Sequence, residues 1–199
     1  NPDVNESVAH FTVNKKGDIR FGLEGISGFG SNIVKAILSE REKNGQFVDV
    51  FNFMERMSGI VNRKSLDALV NAGAFDSMNI SRKQFNIPNK NGTLFIDELI
   101  TYGERFRSDQ EDESASLFGE IEELKPVRPE IPPMVEDDDQ MTWLRKEKEL
   151  VGMYLSSHPL DKYRFEFDMF VNQDLAGIKN SILECENNKT KKNVTLAGI

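Results

Sequence analysis

Cysteine is nearly missing from this chain: Cys185 is the only one in 199 residues. A single thiol excludes an internal disulfide framework and fits a reducing compartment. The two histidines, His10 and His158, stand far apart, so no group with zinc-ligand spacing exists. Long apolar runs are also absent, and nothing approaches the roughly 18 residues of a bilayer span. No basic-then-apolar leader opens the chain, which begins NPDVNES without Met and reads as part of a longer protein. What remains is 38% hydrophobic and 29% charged residues, the make-up of a globular chain long enough for one or two domains.

A net charge of −8 argues against an anionic partner until its distribution is read. Residues 1–75 carry nine Lys and Arg against nine Asp and Glu, and residues 76–100 carry three of each. Residues 101–139 carry four against thirteen, and residues 140–199 nine against eight. The acidity therefore belongs to one segment, and the first hundred residues can still hold local basic points.

The most informative stretch is Leu23–Arg41, LEGISGFGSNIVKAILSER. Leu23 and Ile26 lead into Gly28-Phe29-Gly30, and then Ile33, Ala36, Ile37 and Leu38 recur at helical spacing. Glycine tolerates the positive φ of such a bend and lets another backbone come near. After Gly30, the amides of Ser31 and Asn32 lack intrahelical acceptors, and with the helix dipole they form a seat for a phosphate. This is a helix-hairpin-helix pattern, which grips nucleic-acid backbone without reading sequence; a plain αα turn is the competing explanation. Lys35 adds a charge one turn on. A second helix-turn-helix follows within about 50 residues: Ser58–Val61 turn, Asn62 is a good N-cap, and Arg63 and Lys64 sit in the first helical turn, where cations oppose the dipole. A phosphate ligand explains that placement, as does simple exposure.

Around these motifs the expected fold class is mainly α: a tandem helix-hairpin-helix bundle with an N-terminal β-hairpin, an acidic linker and a C-terminal β segment. Alternation over residues 9–23 predicts the β-hairpin. Helices are expected near 24–27, at 31–43 ending at Asn44-Gly45, at Val48–Met57 and at Arg63–Ala72 ending at Gly73. Thr93 is expected to cap a helix whose Phe95, Leu99, Tyr102 and Phe106 share one face. Residues 108–139, acidic and containing four prolines, read as an extended or disordered linker. Inside it, Ser116-Leu117-Phe118-Gly119 is either an anchor onto the parent domain or a short docking motif. Gln140–Leu155 reads as a helix with Leu144, Val151 and Leu155 inward, ended by the SSHP sequence before Pro159. His158 fits a structural or surface role better than a catalytic one. Residues 161–176 look helical, and Val194–Ile199 alternates as a strand.

Taken in order, PDVNES, FTV, IRFGLEGISGFG, SLDALVNAGAFD, SLFGE, EKELVGMYLSSHPLDKY and NVTLAGI closely resemble the C-family replicative polymerases of bacteria, the DNA polymerase III alpha subunits. The resemblance implies a layout: residues 1–22 as the end of a fingers domain, 23–79 as a tandem helix-hairpin-helix domain on duplex DNA, and 80–107 as a helical extension. It continues with 108–139 as the linker, 140–180 as connecting helices and 181–199 as the start of an OB fold. It implies a DNA-directed DNA polymerase whose catalytic aspartates and Mg2+ lie elsewhere, so these residues hold no catalytic site, no metal and no cofactor of their own. In similar hairpins a monovalent cation sits on the carbonyls. The implied partners are primer-template duplex, the sliding clamp and other replicase subunits, in the bacterial cytoplasm at the replisome and away from any membrane. Ser114, Ala115, Ser116, Leu117 and Phe118 fall where the family carries its clamp-binding motif, but Ser114 replaces the usual glutamine, which weakens the expected docking.

Two functions from different classes follow. In the first, Gly28, Phe29, Gly30, Ser31, Asn32 and Lys35 hold one DNA strand, and Asn62, Arg63 and Lys64 hold the other. In the second, the helices are a scaffold and the SLF segment docks the clamp, with little DNA binding. A repair ligase or glycosylase ranks last, because no Lys-x-Asp-Gly motif or catalytic Lys/Asp pair follows the hairpin.

Overall fold

The structure, a computed structural model, describes residues 1–13, 17–115, 126–135, 140–188, 191 and 193–196. It falls into two compact units, residues 1–156 and 157–199. The first unit begins with two short antiparallel strands, β1 (Thr12–Val13) and β2 (Ile19–Arg20), in which Thr12 faces Arg20 and Val13 faces Ile19. The expected hairpin is thus present but brief, because Phe11, Val13 and Ile19 lie exposed with no core to extend it. A 3-10 turn at Leu23–Gly25 then leads to α1 (Ser31–Asn44), which stops at Gly45 with φ +77°.

Next come α2 (Val50–Met57) and α3 (Arg63–Asn71). The start of α2 lies two residues beyond the expected Val48, because the Asp49 carboxylate caps it by accepting from the Asn52 amide at 2.6 Å. Asn62 caps α3 as expected, accepting from the Ser65 amide at 2.9 Å, and Gly73 at φ +81° closes it. The long α4 (Phe95–Ala115) starts past Thr93: the Asp97 and Glu98 amides donate to the Leu94 carbonyl, while Thr93 is tied to Asn89 through its backbone and the Asn89 side chain. Its far end corrects the linker boundary, since residues 108–115 are helical. Ser114 and Ala115 belong to that helix, whereas Ser116, Leu117 and Phe118 lie outside the described residues.

The core is built on rings. Phe47, Phe53, Phe75, Phe85, Phe95, Phe51, Tyr102 and Phe106 form one chain of neighbours with centroids 4.9–6.2 Å apart. Such pairs add about 0.5–1.5 kcal/mol each beyond area burial. The chain of rings ties α2 to α4, which explains the stripe read from Phe95, Leu99, Tyr102 and Phe106. The second part of the expected linker is docked here as well. Arg128 donates to Glu55 at 2.8 Å and Asp49 at 3.2 Å and stacks on Phe51, and the Gln84 amide donates to the Pro132 carbonyl at 2.6 Å.

The helix α5 (Gln140–Val151) buries Leu144 and Val151 as expected, but ends four residues early, at Gly152 with φ +84°. What holds the following residues is Glu147, fully buried on α5. Its carboxylate accepts from the amides of Leu155 (2.9 Å) and Ser156 (3.0 Å), the Ser156 hydroxyl (2.6 Å) and Arg82 (3.2 Å). Burial alone would raise its pKa, but these donors outweigh it and hold the carboxyl below its ordinary value.

In the second unit, a 3-10 turn at Asp161–Tyr163 runs into α6 (Arg164–Phe170), followed by α7 (Leu175–Asn188). Of the strand expected over Val194–Ile199, residues 197–199 lie outside the described residues. Residues 193–196 are extended but belong to no sheet among the described residues. Asn172 holds them: its backbone amide donates to the Thr195 carbonyl, its side-chain oxygen accepts from the Thr195 amide, and its side-chain amide donates to the Asn193 carbonyl. Alternation needs a neighbouring strand before it becomes β structure.

Candidate nucleic-acid interface

The first hairpin has the local geometry expected of its glycines, though the two do different jobs. Gly28 sits at φ +75°, a conformation unfavourable for residues with a Cβ. Gly30 is the N-cap of α1 at φ −70° and ψ 141°, ordinary extended backbone, and offers no capping side chain. Phe29 between them is buried and pins the bend to the core. The Phe29 amide donates to the Ile26 carbonyl, and the Ser27 amide donates at 2.7 Å to the Leu150 carbonyl near the end of α5. The amides of Gly28, Gly30, Ser31 and Asn32 have no acceptor among the described residues, and all four residues are exposed. No acidic side chain occupies the first turn of α1. Lys35, one turn along, is exposed.

The second hairpin is a degenerate copy that keeps one glycine. Gly59 bends at φ +82°, one residue further from its helix than Gly28 is from α1. The buried Val61 takes the anchoring role of Phe29. Asn62 uses its side chain to cap Ser65, accepting from both amide and hydroxyl. The two basic residues after it diverge. Arg63, part-exposed at the surface, donates to Asp97 at 2.5 Å and Asp67 at 3.3 Å, which accounts for a cation at this helix start without a ligand. Lys64 is exposed and turns toward the first hairpin: a Cβ added at Gly28 would lie 4.0 Å from its Cε. Thus Lys64 joins the Gly28–Asn32 amides, whereas the sequence reading assigned it to a separate strand. Arg41, at the far end of α1, faces inward and donates to the carbonyls of Val4 and Ser7.

Arg107 on α4 was not singled out from sequence, yet its guanidinium lies over the second bend, where a Cβ on Gly59 would stand 2.1 Å from Nη1. The signal available was Gly103, a glycine inside a helical pattern one turn before Arg107. Glu147, which fixes the segment following α5, was also missed, since a carboxylate amid other charges gives no sign of burial. Among the described residues no group of His, Cys, Asp and Glu could hold a metal ion, and no helix is long and apolar enough to cross a membrane.

Residues 1–85 match the helix-hairpin-helix motif family. The chain is 35% identical over 191 residues to the DNA polymerase III subunit alpha of Borreliella burgdorferi, covering 92% of this chain and 16% of that subunit. The chain belongs to the DNA polymerase III alpha-subunit family. The corresponding subunit of Treponema pallidum is 33% identical over 90% of the chain and 15% of its own length. That of Thermus aquaticus is 33% identical over 81% of the chain and 12% of its own length. The chain therefore spans about one-sixth or less of the family members it matches. These matches extend well beyond the hairpins.

Proposed function

We propose that these residues hold duplex DNA by its sugar-phosphate backbone within a bacterial replicative DNA polymerase, away from the polymerising site. The observation that carries the reading is Gly30. Its backbone conformation is open to any residue, and a Cβ there would meet no atom within 4 Å. Nothing in the described protein requires glycine at this position, whereas an approaching phosphate does. Four open amides, the uncapped start of α1 and the ammonium groups of Lys64 and Lys35 supply the attraction. Contacts of this type ignore base identity and weaken steeply with salt. Lys35→Glu combined with Lys64→Glu should abolish duplex binding at low salt in an anisotropy titration. Wild-type affinity in that double variant would refute the reading.

The parent activity proposed from the family is DNA-directed DNA polymerisation in the bacterial cytoplasm, at the replisome, with Mg2+ used elsewhere in the protein. Clamp docking through residues 114–118 is supported by the sequence resemblance alone. Leu117→Ala with Phe118→Ala should remove clamp binding and leave DNA binding intact. A peptide covering 108–125 that shows no clamp affinity would rule that motif out.

A further inference from the structure

The two bends differ in what stands over them. At the first, a Cβ on Gly30 would meet no atom within 4 Å, and one on Gly28 would meet only the Lys64 Cε, at 4.0 Å. No acidic side chain lies in the first turn of α1. At the second, the space a Cβ would take on Gly59 is filled by the Arg107 guanidinium, which is itself engaged within the protein. The helix start beyond it is occupied too. Asn62 stands where α1 has Gly30, and its side-chain oxygen accepts from the Ser65 amide and hydroxyl at 2.9 and 3.1 Å. The amides of Arg63 and Lys64 meet no acceptor among the described residues, but the Arg63 guanidinium brings two carboxylates, Asp97 and Asp67, to that helix start. Two negative charges against one positive repel a phosphate there. Lys64 is the cation of this hairpin without an acidic partner among the described residues, and its stem ends beside the first bend.

We propose that both hairpins serve one strand of the duplex: the first bend seats a phosphate, Lys64 reaches over from the second to the same strand, and the second bend touches no DNA. This rests on the duplex-holding reading above and narrows its ligand from a duplex gripped across both strands to the backbone of one strand within it. The second hairpin is then a support that aims Lys64. Its internal bonding suits that role, since Val61 is buried and the amides of Ile60 and Val61 both donate to the Met57 carbonyl, at 3.1 and 3.0 Å. A grip on one strand does not depend on groove width, which changes with sequence.

The test is an anisotropy titration of the whole 199-residue chain at about 50 mM salt. The probe is a short fluorescent duplex in two forms, one with ordinary linkages and one in which a single strand carries uncharged methylphosphonate linkages throughout. Wild type should bind both forms. Lys64→Ala should weaken binding by up to about five-fold, the effect of one exposed charge contact, and by the same factor on both forms, because the phosphate it meets lies on the strand that the first bend holds. Arg63→Gln should leave affinity unchanged on both. Wild type that binds the ordinary duplex but not the half-neutral one would overturn the proposal, since a second charged strand would then be required. So would a Lys64→Ala loss confined to the ordinary duplex, no Lys64→Ala loss on either form, or a loss in Arg63→Gln; in each of these cases the duplex-holding reading survives. If wild type binds no duplex at low salt, both fall. The comparison of the two duplexes uses the unaltered chain, so it decides the matter even if a variant folds poorly.

Discussion

Replacing Gly30 by alanine separates a demand of the fold from a demand of a ligand. The residue sits at φ −70° and ψ 141°, with nothing within 4 Å of the new methyl group, so neither strain nor clash opposes it. Two small terms remain. Alanine lowers the entropy of the unfolded chain, stabilising by about 0.4–1 kcal/mol. Alanine is also a poorer N-cap than glycine, by a comparable fraction of about 1 kcal/mol. They oppose each other, and the net change in denaturation free energy should fall within about 0.5 kcal/mol. The methyl group stands at the start of α1, beside the open amides of Ser31 and Asn32. If it prevents even one charge-assisted amide–phosphate bond, worth about 1.5–3 kcal/mol, duplex affinity falls roughly ten- to hundred-fold. Urea denaturation and duplex anisotropy on the same preparation give both quantities. A variant equal to wild type in stability and also in affinity would remove the reason for placing phosphate at this bend.

Gly28→Ala should behave in the opposite way: at φ +75° it destabilises by about 1–2 kcal/mol, visible in the same urea titration, although its methyl group meets only the Lys64 stem. Asn62→Ala should cost about 1 kcal/mol by freeing the Ser65 amide and hydroxyl, read as a lower denaturation midpoint. Glu147→Ala takes one carboxylate from Arg82, which keeps Asp76, the Asn71 carbonyl and the Ser156 hydroxyl, and frees the part-buried amides of Leu155 and Ser156, so a loss of about 1–3 kcal/mol is expected, with Glu147→Gln intermediate. Because the folded carboxyl of Glu147 titrates below its ordinary value, its contribution is present above the unfolded pKa of about 4.3 and is lost as pH falls through the folded one; the wild-type advantage over Glu147→Gln should shrink on acidification. The Tyr102 phenol, buried and donating to Glu55 at 2.5 Å, is pushed up to about 12, so Tyr102→Phe should leave the phenolate absorbance at pH 11 nearly unchanged.

Local signals in the sequence marked the hairpins well and their surroundings poorly. Gly28, Gly45 and Gly73 have the positive φ that their positions before or after helices suggested, and Asn62 caps as its side chain predicts. These features depend on a few neighbouring residues. The errors lie where distant residues decide. Residues 108–115 are acidic enough to read as linker, yet they continue a helix begun at Phe95 and anchored through Tyr102 and Phe106 in the ring chain. Residues 126–135 are proline-rich, yet Arg128 finds Glu55 and Asp49 more than 70 positions earlier. Val194–Leu196 alternates like a strand, but alternation cannot supply a partner strand, and Asn172 takes that place. The fate of Arg63 was unreadable for the same reason, since Asp97 is 34 positions away.

That last contrast bears on how a chain of net charge −8 can face a polyanion. Counting cations near the second hairpin gives Arg63 and Lys64 equal standing. The fold does not: Arg63 is neutralised by two carboxylates, and Lys64, the next residue, points to the opposite bend. Charge available to a ligand is therefore set by which basic side chains the packing leaves outside ion pairs, and neither total nor regional charge reports it. The acidic run from Asp109 to Glu123 begins on the same helix as Arg107, so its field opposes any anion near α4 at long range. Within a Debye length of about 10 Å at 0.1 M salt, the nearest groups dominate. A phosphate at the Gly28 bend would meet open amides and Lys64. Raising the salt screens both effects, but it weakens the short contacts more slowly than the distant repulsion. The measured salt slope should thus report the few cations in contact, and not the charge of the chain as a whole.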